Sequence, residues 1–287
     1  MNIGLVLEGG AMRGLFTAGV CDELMERNIS FPCVIGVSAG ALFGCNLKSK
    51  QPGRVLRYNT RFCRDSRYSS IWSLLKTGDL YNYEFCYKTL INELDIFDRE
   101  TYNSTPMTFI AVATNVATGE AEYHDCKYAD EEMLTWLRAS GAMPLAARPV
   151  EIGNNTYVDG GISDSIPIKK MEELGYKKNV IVLTQPANYV KEKNKLLPLL
   201  KVVLRKYPRL IETIEARHIA YNATLDYIRE QEKKGNAFVI RPSEKLDVGM
   251  RERNPDKLRK IHAQGRALMA SRIDELKAFL ETDSLSK

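Results

Sequence analysis

Apolar positions along the chain fall into short solid runs, each halted by small residues and followed by helix-spaced segments. Ile3 to Leu7 is a run suited to a buried strand; it stops at Glu8-Gly9-Gly10-Ala11-Met12-Arg13-Gly14, after which Leu15, Val20 and Leu24 are spaced to face one way on a helix. Val34 to Val37 is a second run, ending in a serine and turning helix-like at once. Met107 to Ala113 reads as a strand, Thr118-Gly119 as a hairpin turn and Ala121 to His124 as the return strand. Glu131 to Ala139 is helical and runs into Ser140-Gly141-Ala142-Met143-Pro144, small enough to pass close to another backbone. An Asn154-Asn155 turn opens a strand that ends at Asp159-Gly160-Gly161. Asp164 or Ser165 is expected to cap a helix beginning near Pro167, with Gly175 ending it, and Val180 to Leu183 is a further β-branched run. Strands alternating with helices predict an α/β fold, a parallel-rich central sheet with helices on both faces.

The pattern changes beyond Asn188, where the chain is mostly helical apart from a late strand at Ala237 to Ile240. Leu258 to Leu280 reads as one long amphipathic helix. We therefore divide the chain into a core of residues 1–185 and a mainly helical C-terminal extension, 186–287, packed on it. Leu196 to Leu204 is apolar and flanked by Lys195, Lys201, Arg205 and Lys206. The plain reading is a buried helix with snorkelling lysines; the other is a helix lying peripherally on an anionic membrane surface. Residues 52–94 are helical and irregular, and Trp72, Tyr81, Tyr83, Phe85 and Tyr87 suit either plain core or a lid or acyl-chain wall.

Composition adds limits. With 287 residues, 44% hydrophobic and 27% charged, the chain can bury a sizeable core and is not disordered. A net charge of +5 without a Lys/Arg block interleaved with aromatics argues against a nucleic-acid partner. No stretch is long and apolar enough to cross a bilayer, and Met1 to Glu8 lacks the basic start of an export signal. The six cysteines, without a C-x-x-C pair, read as reduced and mostly buried thiols, so the expected compartment is the cytoplasm. Oligomeric state is left open.

Chemistry concentrates at the small-residue stops. Gly36-Val37-Ser38-Ala39-Gly40 has the spacing of a G-x-S-x-G elbow, and by itself equally that of an ordinary Gly-rich strand-to-helix turn; as an elbow, the sharp turn lifts the serine hydroxyl to its apex, and the close approach of strand and helix admits only glycine-sized flanks. The turn aims the Ala39 N–H and the positive helix end at the space in front of Ser38, where an oxyanion would form. The loop at residues 8–14 has two nucleotide-binding readings, and both lack a required residue. Leu15 stands where a P-loop needs lysine, and Ala11 where a dinucleotide fingerprint needs its middle glycine. If the sheet is parallel, the loop instead lies on the same edge as Ser38, so that Gly9, Gly10 and Ala11 point N–H groups at the same oxyanion and Arg13 fixes the loop or binds a charged part of the substrate.

A serine nucleophile needs a base. Of the three histidines, His218 lies on an apolar helix seam, His262 inside the last long helix, and His124 at a hairpin end that would give the order Ser–His–Asp, which α/β-hydrolases do not use. Asp159 stands where a strand stops, with Gly160-Gly161 leaving its carboxylate uncrowded. Brought within hydrogen-bond reach of Ser38 and partly desolvated, it can act as the base; taken alone, Asp159-Gly160 reads first as a turn dipeptide.

Three segments in order, the glycine loop 8–14, the elbow 36–40 and Asp159-Gly160-Gly161, resemble those of the patatin-like phospholipase family. Ala139 to Pro144 and the Thr114 to Gly119 hairpin are similar to further family segments, and the resemblance spans about residues 3–185. It implies a patatin-like, α/β-hydrolase-related fold and a cofactor-free, metal-free acyl hydrolase of lipid or acyl-ester substrates, with Ser38 as nucleophile, Asp159 as base and Gly9 to Ala11 holding the oxyanion. Ala11 departs from the family pattern, which carries a third glycine there; a positive φ would cost alanine more. The alternative class is a non-catalytic regulator or adaptor that keeps the fold and binds lipid or a protein partner.

Overall fold

A computed structural model describes residues 2–281; Met1, the first residue of the stretch read for an export signal, and residues 282–287 lie outside the described residues. The strands are β1 (Ile3–Leu7), β2 (Cys33–Val37), β3 (Thr108–Asn115), β4 (Ala121–Asp125), β5 (Val150–Ile152), β6 (Asn155–Asp159), β7 (Lys178–Val182) and β8 (Ala237–Ile240). The helices are α1 (Gly14–Glu26), α2 (Ala39–Lys48), α3 (Arg54–Phe62), α4 (Ile71–Thr77), α5 (Arg99–Ser104), α6 (Glu131–Ser140), α7 (Ile168–Glu173), α8 (Leu197–Val203), α9 (Pro208–Lys233), α10 (Pro255–Ser271) and α11 (Ile273–Glu281), with a π-helix at Phe85–Leu94.

The strands form one eight-stranded sheet along the path β5-β6-β3-β2-β1-β7-β8, with β4 also on β3. From β3 to β8 every neighbour is parallel. Alternate residues face opposite ways along each strand. Leu5, Leu7, Val34, Phe109 and Ala111 enter a core shared with α1, α2, α6 and α10, while Val6, Ile35, Ile110 and Val112 meet Ile168, Met171, Leu225 and Ile228 of α7 and α9. Both faces are thus covered, as the solid apolar runs require. On the first face α1 and α10 cross backbone to backbone: a Cβ on Gly19 would sit 2.1 Å from the His262 carbonyl oxygen and one on Gly265 2.0 Å from that of Phe16.

The strand ending at Asp159 does not run parallel to the one ending before Ser38. β6 is antiparallel to β3. Along β3, the odd residues bond towards β4, through the Phe109 carbonyl to Cys126 and the Asn115 N–H to Glu120. The even ones bond the other way, Thr108 to Pro32 before β2 and Val116 to Thr156 of β6. So β2 and β6 share one edge of β3. β2 occupies it up to Val37 opposite Val112, and β6 comes from the other direction and stops at Asp159 opposite Ala113. The two strands meet end to end, and their junction is Ser38 and Asp159.

Three expectations are corrected. The long last helix is two, α10 and α11, parted at Arg272, whose guanidinium donates to the Val239 carbonyl at 2.6 Å and lies 4.3 Å from the Phe238 ring centroid. Neither Asp164 nor Ser165 caps α7: Asp164 accepts from the Ile166 N–H and the Tyr123 hydroxyl, and Ser165 donates to the Gly161 carbonyl. And α8 is not a buried helix. Leu200 and Leu204 are buried, but Leu196, Leu199, Val202 and Val203 are 54%, 50%, 67% and 55% exposed.

Candidate active site

Ser38 sits between β2 and α2 at φ +52°, ψ −121°, a left-handed position unusual for a non-glycine residue and of the kind held only where its surroundings enforce it. Its N–H donates to the Ser140 hydroxyl at 2.9 Å, and its carbonyl accepts from the N–H groups of Ala41 and Leu42 at 3.0 Å. The elbow needs glycine at position 40, where a Cβ would stand 2.4 Å from the Leu7 carbonyl oxygen.

The Ser38 hydroxyl donates to Asp159 Oδ2 at 2.7 Å. Asp159 is 1% exposed, and its Oδ1 accepts from the Gly161 N–H at 2.8 Å. The backbone is fixed as well: Asp159 donates to the Ala142 carbonyl, and its own carbonyl accepts from the Thr114 hydroxyl. Burial pushes the Asp159 carboxyl above the usual aspartate range, against the Ser38 hydroxyl first and then the Arg217 charge, which pull it down. A carboxylate with raised proton affinity, touching a strained hydroxyl, is equipped to take its proton as the oxygen attacks.

The glycine loop follows β1, one strand over from β2. Ala11 adopts φ +48°, the conformation that the absent third glycine would have adopted freely. The N–H groups of Gly9, Gly10, Ala11 and Ala39 take part in no backbone hydrogen bond among the described residues. All four residues line the same cavity as Ser38 and Asp159. Free N–H groups around a nucleophilic oxygen can stabilise a developing oxyanion. Arg13 lines that cavity as well. Glu8 does not face the substrate space freely: its carboxylate accepts from the Thr184 N–H and the Tyr221 hydroxyl, both at 2.5 Å.

The cavity encloses about 430 Å³. Its wall carries Ser38, Asp159, Arg13, Lys191 and Arg217, and a mainly apolar stretch of Phe43, Tyr58, Leu90, Phe97, Leu134 and Leu137 into which the paired charges Arg54 (with Asp95) and Arg138 (with Asp79) are also set. The 52–94 segment thereby supplies channel wall through Tyr58, Tyr81, Tyr83, Tyr87 and Leu90, while Phe85 is core and Trp72 is 78% exposed. Burial and the neighbouring Arg217 push the Lys191 ammonium down to about 8.

No histidine approaches Ser38. His262 is buried against Asp22 at 2.7 Å, His124 stacks on Trp136, and His218 lies half-buried on α9. Among the described residues no group of three or more His, Cys, Asp or Glu side chains could hold a metal ion. Residues not foreseen from the sequence are Ser140, Lys191, Arg217 and Tyr221. Ser140 lay in a segment noted only for its small side chains; the other three belong to no motif and reach the site through the path of the chain after β7.

A serine elbow on a mostly parallel sheet, opening on an apolar cavity, is the architecture of an α/β-hydrolase-related protein. The profile of patatin-like phospholipases matches residues 5–171, and the chain belongs to that family. A second profile, a domain of unknown function (DUF6363), matches residues 207–281. The chain is 31% identical over 203 residues to the uncharacterized protein YjjU of Escherichia coli, covering 65% of this chain and 53% of that one. It is 27% identical over 191 residues to a probable lipid hydrolase, 463L, of Invertebrate iridescent virus 6, covering 61% and 65% respectively. It is 28% identical over 189 residues to lysophospholipase NTE1 of Cryptococcus neoformans, covering 63% and 11%. In each case it spans less than two thirds of the relative's length. Among solved structures, VipD of Legionella pneumophila is similar at a TM-score of 0.46 and 15% identity, over 95% of this chain and 67% of that one.

Proposed function

We propose that the protein is a serine acyl hydrolase acting on lipid carboxylic esters, as a phospholipase A, lysophospholipase or carboxylesterase, through a Ser38–Asp159 dyad. The observation that carries this reading is the 2.7 Å contact of Ser38 Oγ with Asp159 Oδ2 in the wall of a largely apolar cavity. Family membership and relatives named lipid hydrolase and lysophospholipase support it.

Ser38 Oγ attacks the ester carbonyl while Asp159 takes its proton. The N–H groups of Gly9, Gly10 and Ala11, with that of Ala39, hold the oxyanion. Asp159 returns the proton to the departing alkoxide, leaving the acyl group on Ser38. Water, deprotonated by the same carboxylate, then attacks the acyl-serine, and Asp159 passes the proton to Ser38 Oγ as the fatty acid leaves. The acyl chain lies in the channel, and Arg13 serves the charged part of the substrate. No step calls for a cofactor.

No helix among the described residues is long and apolar enough to cross a membrane. The exposed face of α8, beside Lys195 and Lys201, and the exposed Ile71, Trp72 and Leu75 of α4 support a peripheral contact with the inner face of the membrane by a cytoplasmic protein.

Hydrolysis of an ester panel of graded chain length tests the proposal. The wild type turns over medium and long acyl esters, and Ser38→Ala and Asp159→Asn do not. A panel that no form hydrolyses would favour the regulator or adaptor instead.

A further inference from the structure

The cationic end of the cavity lacks partners. Arg13 belongs to the glycine loop, Lys191 lies in the segment after β7, and Arg217 projects from α9; all three line the cavity with Ser38 and Asp159. Among the described residues none of their side chains forms an ion pair, and Arg13 Nε and Arg217 Nε are buried without any hydrogen-bond partner. Lys191 Nζ rests 4.4 Å from the Tyr221 ring centroid. Two carboxylates stand nearby without forming an ion pair with these cations: Glu8 is held by Thr184 and Tyr221 and Asp159 by Ser38 and Gly161, although the Arg217 charge does favour the Asp159 carboxylate. Arg217 stands directly over the dyad's turn: a Cβ on Gly161 would lie 3.3 Å from its Nη2 and 3.0 Å from Asp159 Oδ1.

Buried guanidinium N–H groups normally find acceptors, and like charges do not gather in a low-dielectric wall unless an anion joins them. Burial first and then Arg217 push the Lys191 ammonium down, with Arg13 adding to that push and the Glu8 and Asp159 carboxylates opposing it. A planar guanidinium fork suits a tetrahedral oxyanion held by several donors, and an ammonium adds a point charge to it. A carboxylate from the acyl product is the poorer candidate, because it is formed at Ser38 under the loop N–H groups with its chain in the opposite, apolar end. Lys191 and Arg217 also border a second, polar hollow with Asn194, His218 and Lys245, which leaves a hydrophilic head group an exit away from the acyl channel.

We propose that Lys191 and Arg217, facing Arg13, form a subsite for the phosphate of a phospholipid substrate, so that the C-terminal segment completes the active site. Both lie outside residues 5–171, and Arg217 falls within the domain of unknown function at 207–281. This rests on the reading of Ser38 and Asp159 as the hydrolytic pair; the test below does not need turnover.

Equilibrium binding to the full-length Ser38→Ala protein is measured by calorimetry at pH 7 with octyl phosphate, octanol and inorganic phosphate. Octyl phosphate binds at least tenfold more tightly than either of the others. Arg217→Gln and Lys191→Gln each reduce its preference over octanol by tenfold or more, and Arg217→Lys restores part of it, which a purely structural loss would not allow. Equal binding of octyl phosphate and octanol, or a preference untouched by both substitutions, overturns the proposal. Inorganic phosphate binding as tightly as octyl phosphate overturns the lipid source of the anion. Loss of ester hydrolysis in the wild type with this binding pattern intact would count against the Ser38 reading alone.

Discussion

Two buried aspartates in this molecule make hydrogen bonds of the same length in different surroundings. Asp22 meets His262 Nε2 at 2.7 Å, and Asp159 meets the Ser38 hydroxyl at 2.7 Å. The first pair is the one that a search for acid–histidine partners would choose, yet it is sealed between α1 and α10, both residues under 5% exposed, and lines no cavity with a nucleophile. The second opens on a substrate-sized space, sits on a strained turn and faces free N–H groups. Pair chemistry alone does not make an active site; access and a place for the developing charge do.

The sharpest way to break the comparison is to remove one partner from each pair. Ser38→Ala and Asp159→Asn lower kcat on a medium-chain ester by about 10⁴-fold or more, with the fold retained by circular dichroism. The Asp159 carboxyl is raised by burial, so its ionised form weighs against the folded state above the ordinary aspartate range; Asp159→Asn therefore melts no lower than wild type at neutral pH. In the other pair, Asp22→Asn or His262→Leu reduces unfolding free energy by about 3–5 kcal/mol in denaturant titration, leaving turnover per folded molecule unchanged. Activity lost at His262 without loss of stability would erase the distinction.

A finer probe lies in the channel and the pH profile. Leu137→Trp fills the apolar end and shifts kcat/KM from long-chain towards short-chain esters by about tenfold. On the proposed mechanism Asp159 must be ionised to accept the serine proton, so kcat/KM is expected to fall with decreasing pH on a limb lying above the ordinary aspartate range. Arg217→Gln moves that limb higher, since the Arg217 charge favours the carboxylate. The smallest effect is at the loop: Ala11→Gly relieves φ +48° and raises stability by about 0.5–1 kcal/mol.

What the sequence made legible was local. Ser38 and Asp159 stood out because elbows and strand ends carry their own small residues, and a positive φ at Ala11 was foreseeable from the glycine it replaces. The direction of β6 was not, since a strand's sequence reads the same whichever way it pairs. Nor could Lys191 or Arg217 be recognised: each is an ordinary basic residue until α9 and the segment after β7 are laid across the cavity. The break at Arg272 depends on a carbonyl in β8, over thirty residues away. In α8 the apolar run hid how much of it would face outward, because spacing shows a helix but not what covers it.

The most direct test of the central claim is active-site labelling with a fluorophosphonate, read by peptide mass spectrometry alongside residual ester hydrolysis. A single adduct on Ser38, with hydrolysis falling in step with labelling and no adduct in Ser38→Ala, is the predicted result. An adduct on another residue, or hydrolysis that persists after Ser38 is fully labelled, would contradict it.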